Sequence, residues 1–149
     1  MKLALFALIF LTFGAHADEF RVKAWKKPPN WKCRRIDEGA LTCRSPYSDE
    51  TATMTMGLKK VSAGESLSSL RPSGEKVHFA TNRDIHGVEW LDSLYQSGSG
   101  LVRSSQTLTM VNGKKMAFEV RFEAPKDTYE AIQKEVNRTI SSVKLYRNR

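Results

Sequence analysis

His78, His86, Cys33 and Cys43 are the side chains downstream of residue 17 whose types first suggest chemistry. Lys76 and Asp84 stand close to the two histidines in sequence. An imidazole titrates near neutral pH, so such a pair could divide general acid and base roles. In a basic chain the matching substrate would be an anionic polymer, as for a small secreted hydrolase of the ribonuclease kind. The competing expectation is two surface histidines, in a loop or at the start of a strand. The cysteines stand ten positions apart with no paired histidines nearby. That spacing suits neither a zinc set nor the Cys-x-x-Cys of a redox helix start.

Weaker patterns carry less. Met54 and Met56 offer soft thioether ligands, but at strand spacing they read as core fillers. Ser73-x-x-Lys76 and Ser141-x-x-Lys144 fit S-x-x-K without the companion motifs that penicillin-binding machinery needs. Asn137-Arg138-Thr139 matches a glycosylation acceptor but lies inside a helical pattern. There is no G-x-S-x-G, no phosphate loop and no metal triad. The expectation is no catalytic residue, no metal site and no cofactor.

The stretch Trp25–Arg35, WKKPPNWKCRR, holds two tryptophans, two prolines, one of the cysteines and five cations. The whole chain carries +8, and the excess is uneven. Residues 18–36 hold seven Lys or Arg against Asp18 and Glu19, while residues 37–149 hold sixteen against fourteen acids. Such asymmetry speaks about partners rather than fold. The candidate binding patch is Lys23, Trp25, Lys26, Lys27, Lys32 and Arg34. It would meet an unknown protein of acidic character or an anionic envelope component. The competing expectation is a solvated edge whose lysines discourage strand-to-strand aggregation. Nucleic acid is not an expected partner of an exported chain.

These residues need elements to hold them. Asp37-Glu38-Gly39 is a three-residue hairpin loop with glycine at the left-handed place. That loop sets a register in which Ile36 faces Ala40, Arg35 faces Leu41, Arg34 faces Thr42 and Cys33 faces Cys43. The cysteine pair then falls at a non-hydrogen-bonded position, with Cα atoms about 4.5 Å apart, within reach of a disulfide. Residues 51–58 alternate cleanly as a half-buried strand. Residues 62–76 predict a loop around a short helix near 65–71, capped between Ser62 and Ser66, with Leu67 and Leu70 on its apolar edge. Residues 73–84 look irregular, with Val77 and Phe79 as anchors. Long strands follow through Val88, Trp90 and Leu94, then on either side of Asn112-Gly113, a strong type I′ turn signal. Tyr129, Ile132, Val136, Ile140 and Val143 draw one apolar stripe on a C-terminal helix capped by Asp127 or Thr128.

In this order of elements the chain resembles the PsbP-like family. The resemblance rests on PPNWK with the following GAL and SP, on the meander ending GKKMAFEVRFEAP, and on the final TISSVKL, over roughly residues 28–146. It implies an α+β fold, an αβα sandwich, with an antiparallel sheet of about six strands covered by the long C-terminal helix. It also implies a module that binds other proteins and brings no catalytic residues.

The N-terminus predicts the compartment. Lys2, the apolar run Leu3–Phe13 and Ala15-His16-Ala17 make a secretory signal peptide cleaved after Ala17. The run is too short for a permanent span, which needs about 20 residues. The expected organisation is a signal peptide over 1–17, a basic lead-in over 18–30 and a single domain over 31–149. The product would be periplasmic or secreted, not membrane-spanning, and oxidising conditions there would close the cysteine pair.

Overall fold

The computed structural model describes residues 22–37, 39–46, 51–73 and 76–146. The signal-peptide expectation therefore lies outside the described residues, as do Phe20, Glu38 and the chain's last three residues.

Strand alternation produces β1 Val22–Ala24, β2 Lys32–Asp37, β3 Ala40–Arg44, β4 Thr53–Lys60, β5 Lys76–Ile85, β6 Val88–Ser97, β7 Gly100–Val111 and β8 Lys114–Pro125. Helix α1, Lys126–Ser142, and the short β9, Lys144–Leu145, complete the chain. Seven strands form one antiparallel sheet in the order β2-β3-β4-β8-β7-β6-β5, and β1 pairs separately with β9. The sheet thus has one strand more than expected. The extra strand is β5, which lies where the sequence looks irregular. It is an edge strand, exposed on both faces over much of its length, so no apolar alternation is demanded of it. A two-residue turn at His86 and Gly87, with φ of 52° and 81°, joins it to β6. Asp84 Oδ1 accepts a hydrogen bond from the Gly87 amide at 3.0 Å and fixes that turn.

At the other turns the register follows the loop chemistry. Asn112 and Gly113 take φ of 51° and 76°, and Val111 faces Lys114. In the first hairpin Cys33 faces Cys43, Arg34 faces Thr42 and Arg35 faces Leu41. The register then slips, and Ala40 faces Asp37 rather than Ile36. The slip leaves Ile36 half exposed at the hairpin tip (52%).

The core lies on one face of the sheet. Met54, Met56, Phe118, Val120 and Phe122 project there and meet Tyr129, Ile132, Val136 and Ile140 of α1. Trp31 packs edge-on against Phe122 and Trp90 against Phe118, with ring centroids 5.9 and 6.0 Å apart. Such aromatic pairs add about 1 kcal/mol beyond the area they bury. Helix α1 begins directly after β8, with Pro125 at its N-cap and Asp127 in its first turn. Asp127 and Thr128 are therefore helical residues and not caps. Proline suits this place because its fixed φ leads into a helix and its missing N–H leaves nothing unsatisfied.

The opposite face has no long helix among the described residues. A 3-10 helix, Leu67–Leu70, lies against β6 and β7 there. Its start is tied by Ser69 Oγ, which donates to the Ser66 carbonyl and accepts from the Ser66 amide. Lys115 Nζ holds the preceding loop by donating to the carbonyls of Ala63 and Glu65.

Candidate binding surface

The hairpin β2–β3 is clamped first. Cys33 and Cys43 are joined as a disulfide, their Cα atoms 4.0 Å apart. That close approach marks a non-hydrogen-bonded pair, so Lys32–Arg44 and Arg34–Thr42 on either side are the hydrogen-bonded pairs. Cys43 is fully buried on the helix side, beside Met54. Strand alternation then sends Lys32, Arg34 and Arg44 to the opposite, helix-free face, where all three are exposed.

Lys32 and Arg44 sit directly across from one another. Like charges so placed cost a few tenths to about 1 kcal/mol. None of Lys32, Arg34 and Arg44 is ion-paired among the described residues. Among the described residues, the acids at the centre of this face are already engaged. Glu123 accepts from Arg121 Nε at 2.8 Å, and Glu119 accepts from Ser104 Oγ at 2.6 Å with Lys59 at 3.7 Å. Arg121 also donates to the Tyr95 hydroxyl at 3.1 Å. Partial burial works against the Arg121 charge, but the hydrogen bond to Glu123 and the charges around it outweigh burial and raise its pKa. The helix-free face therefore carries fixed, paired charge at its centre and unpaired cations at its β2–β3 end. Next to that end lies an open hollow of about 300 Å³, lined by Thr51, Thr53, Ser97, Ser99 and Glu123 among others.

The remaining residues of the expected patch lie elsewhere. Lys23 belongs to β1, paired with β9 just after the helix. The Lys26 amide donates to Ser142 Oγ at 2.8 Å, and Thr139 Oγ1 donates to the Lys26 carbonyl at 3.0 Å. Trp25 packs partly buried on the core. Lys23, Lys26 and Lys27 are thus brought to the C-terminal end of α1, whose last turn has no basic residue of its own. Cations near that end complement the helix dipole. The six residues form two groups on different sides of the sheet, and the group near α1 has a structural explanation. Arg44 joins the other group, a placement that only the pairing of β3 with β2 reveals.

The two histidines do not converge. His78 sits near the start of β5, at a register irregularity between Val77 and Phe79, and His86 lies in the turn beyond its far end. Eight residues of extended chain separate them by about 26 Å. Both are exposed. No group of three or more His, Cys, Asp or Glu side chains that could hold a metal occurs among the described residues.

One polar cluster was not anticipated. Asp92 and Arg103, both about 4% exposed, form a two-pronged ion pair on the helix side, with both N···O distances 2.7 Å. Arg103 Nη1 donates to the Tyr129 hydroxyl at 3.2 Å and to Asn137 Oδ1 at 2.8 Å. The Phe79 ring lies 5.3 Å from its guanidinium carbon. Arg83 approaches Asp92 at 3.5 Å and donates to Ser141 Oγ on the helix. Burial opposes the Arg103 charge, yet its bonds to Asp92 and Tyr129 prevail and its pKa is raised. Every nitrogen of Arg103 is engaged, which makes this a fastening between helix and sheet. Asn137, the glycosylation-like position, is part of it. The available signal was two opposite charges on inward-facing places of neighbouring strands.

The fold is PsbP-like: a large antiparallel sheet with a C-terminal helix along one face. The solution structure of cyanobacterial PsbP (CyanoP) from Synechocystis sp. PCC 6803 aligns with a TM-score of 0.53 at 16% identity, over 82% of this chain and 85% of that one. A protein of Bacteroides thetaiotaomicron VPI-5482 aligns with a TM-score of 0.50 at 18% identity. That alignment takes in 83% of this chain but only 44% of the Bacteroides protein. At these identities the likeness is one of fold. No protein-family model matches the chain, and no curated protein matches it in sequence.

Proposed function

We propose that this chain is a non-enzymatic accessory module of an exported, oxidising compartment, and that it works by binding an acidic partner through charge. The observation that carries the proposal is the row of cations Lys32, Arg34 and Arg44, unpaired among the described residues, on the side of the sheet that α1 does not cover. Clustered like charge costs stability in the free protein, and an anionic partner converts that cost into affinity. The PsbP-like fold supports an accessory role, and the disulfide supports an oxidising location. Relative to the patch expected from sequence, Lys32 and Arg34 remain in the binding group and Arg44 is added. Lys23, Lys26 and Lys27 serve the helix end.

The test is retention on immobilised polyglutamate and on vesicles containing anionic phospholipid, across a salt series. The protein should bind polyglutamate at low salt and release as the screening length falls below about 10 Å. The Lys32→Gln/Arg34→Gln/Arg44→Gln variant should release at clearly lower salt. Equal retention of protein and variant would refute the assignment of these cations. Vesicle binding without polyglutamate binding would make the partner a lipid surface.

A further inference from the structure

We infer that the outer edge of β2 is a docking site for an extended acidic segment of a partner protein, which adds to the sheet as a further antiparallel or parallel strand. The inference rests on the proposed acidic partner and specifies how that partner is held. Strand β2 is the last strand of the seven-stranded sheet, and β1, the strand that precedes it in the chain, pairs with β9 instead. Because Cys33 and Cys43 form a non-hydrogen-bonded pair, the Cys33 N–H and C=O both point away from β3, along the open edge. The Leu58 amide donates to the Gly39 carbonyl at 3.1 Å, which fits the same alternation one strand further in. Backbone groups presented along a sheet edge, here the N–H and C=O of Cys33, are a template for a strand, and main-chain pairing there supplies affinity without demanding a sequence.

Three features suit this edge to an acidic strand. The disulfide fastens β2 to β3 at the pairing position, so the edge is held in strand geometry before a partner arrives, and little ordering cost remains. The cations give the segment its pattern. Lys32 and Arg34 flank Cys33 on the helix-free face, with Arg44 behind Lys32. A strand laid along β2 would place alternate side chains on that face, so carboxylates at every second position would meet Lys32 and Arg34. Ile36, half exposed at the tip, offers an apolar contact at one end of the track. Pairing of β2 with a second copy of itself would instead set these cations against each other, so the occupant is a different chain of opposite charge. The opposite edge, β5, has no such row of cations at alternate positions, which makes it the poorer match for an acidic strand.

The probe is a synthetic ten-residue peptide alternating Glu with Val and Thr, with a composition-matched shuffled peptide as control. Two further versions carry N-methyl groups on alternate residues, one series blocking each edge of the peptide strand. Binding is followed by amide chemical shifts and hydrogen exchange on the disulfide-bonded protein. The alternating peptide should bind, and the Cys33 amide should exchange at least about ten-fold more slowly when it does. One N-methyl series should abolish binding and the other should not. Charge reversal, Lys32→Glu/Arg34→Glu, should weaken binding by about ten-fold or more, while reversal at exposed Lys134 on α1 should leave it unchanged. Proton chemical shifts of Trp31 and Cys43 in each variant verify that the hairpin has formed. Binding of both N-methyl series, or protection away from β2, would overturn the edge-pairing inference while leaving an electrostatic partner surface in place. Failure of every acidic probe at about 50 mM salt would remove the acidic-partner proposal itself. A rise in dimer content without peptide would replace the acidic segment with a second copy.

Discussion

Arg103 and Asp92 show how much one pair of side chains decides. Each is nearly inaccessible, and Tyr129 and Asn137 take up the remaining donors of the guanidinium. Asp92→Asn leaves the buried Arg103 charge without its counter-ion, and Arg103→Met leaves Asp92 with only Arg83 at 3.5 Å, so each should destabilise by about 3 kcal/mol, read from urea unfolding midpoints. The double replacement Asp92→Leu/Arg103→Met should recover much of that loss, because the pair is then exchanged for apolar packing. The raised pKa of Arg103 sets the sign of its pH response. Its charge contributes fully below the ordinary arginine value and is lost only as pH rises past the higher folded value. Alkaline titration up to about pH 10 should therefore leave this fastening intact, measured as an unchanged Arg103 Nε proton signal.

At the scale of elements, the first hairpin and the lead-in are held by few contacts that can be removed one at a time. Reduction of Cys33–Cys43, or replacement of both cysteines by serine, should cost about 2–3 kcal/mol, since the bridge closes a short loop. Hydrogen exchange should then rise first in β2 and β3 and leave β7 and β8 protected. Gly57 allows β3 and β4 to approach closely. A methyl group there would lie 2.7 Å from the Gly39 carbonyl oxygen and 3.1 Å from Ala40 Cα. Both are backbone atoms, so Gly57→Ala should destabilise by about 1–3 kcal/mol in thermal melts and disturb the hairpin tip. The lead-in depends on Thr139 and Ser142, and Thr139→Val should loosen it at a cost of about 1 kcal/mol. Limited proteolysis near Lys26 and Lys27 reports that change.

For the whole molecule, the two sides of one sheet are covered in different ways. The side under α1 holds the aromatic and methionine core together with the Asp92–Arg103 pair, while the other buries Leu91, Tyr95 and Val102 and is partly covered by the loop carrying the 3-10 helix. Deleting the residues after Pro125 would uncover Met54, Met56, Phe118, Val120 and Phe122 together. The shortened chain should bind a hydrophobic dye and aggregate, whereas neutralising Lys32, Arg34 and Arg44 should leave solubility and melting temperature within the small range of surface changes.

Local chemistry in the sequence determined much of this molecule. Gly39 and Asn112-Gly113 set turns whose conformations belong to those residue types, so the cysteine register and the β7–β8 register could be counted directly from them. The stripe on α1 was legible because helical spacing survives any tertiary setting. Strand β5 was not legible, since an exposed edge strand needs no apolar alternation and is created by its pairing with β6. Nor could the chain's order reveal that Lys26 ends beside Ser142 while Lys32 ends across from Arg44. A basic run is continuous in sequence, but the passage from lead-in to alternating strand turns its cations to different sides of the sheet. Which of them stand together is fixed by strand pairing and helix docking, interactions between segments far apart in the chain.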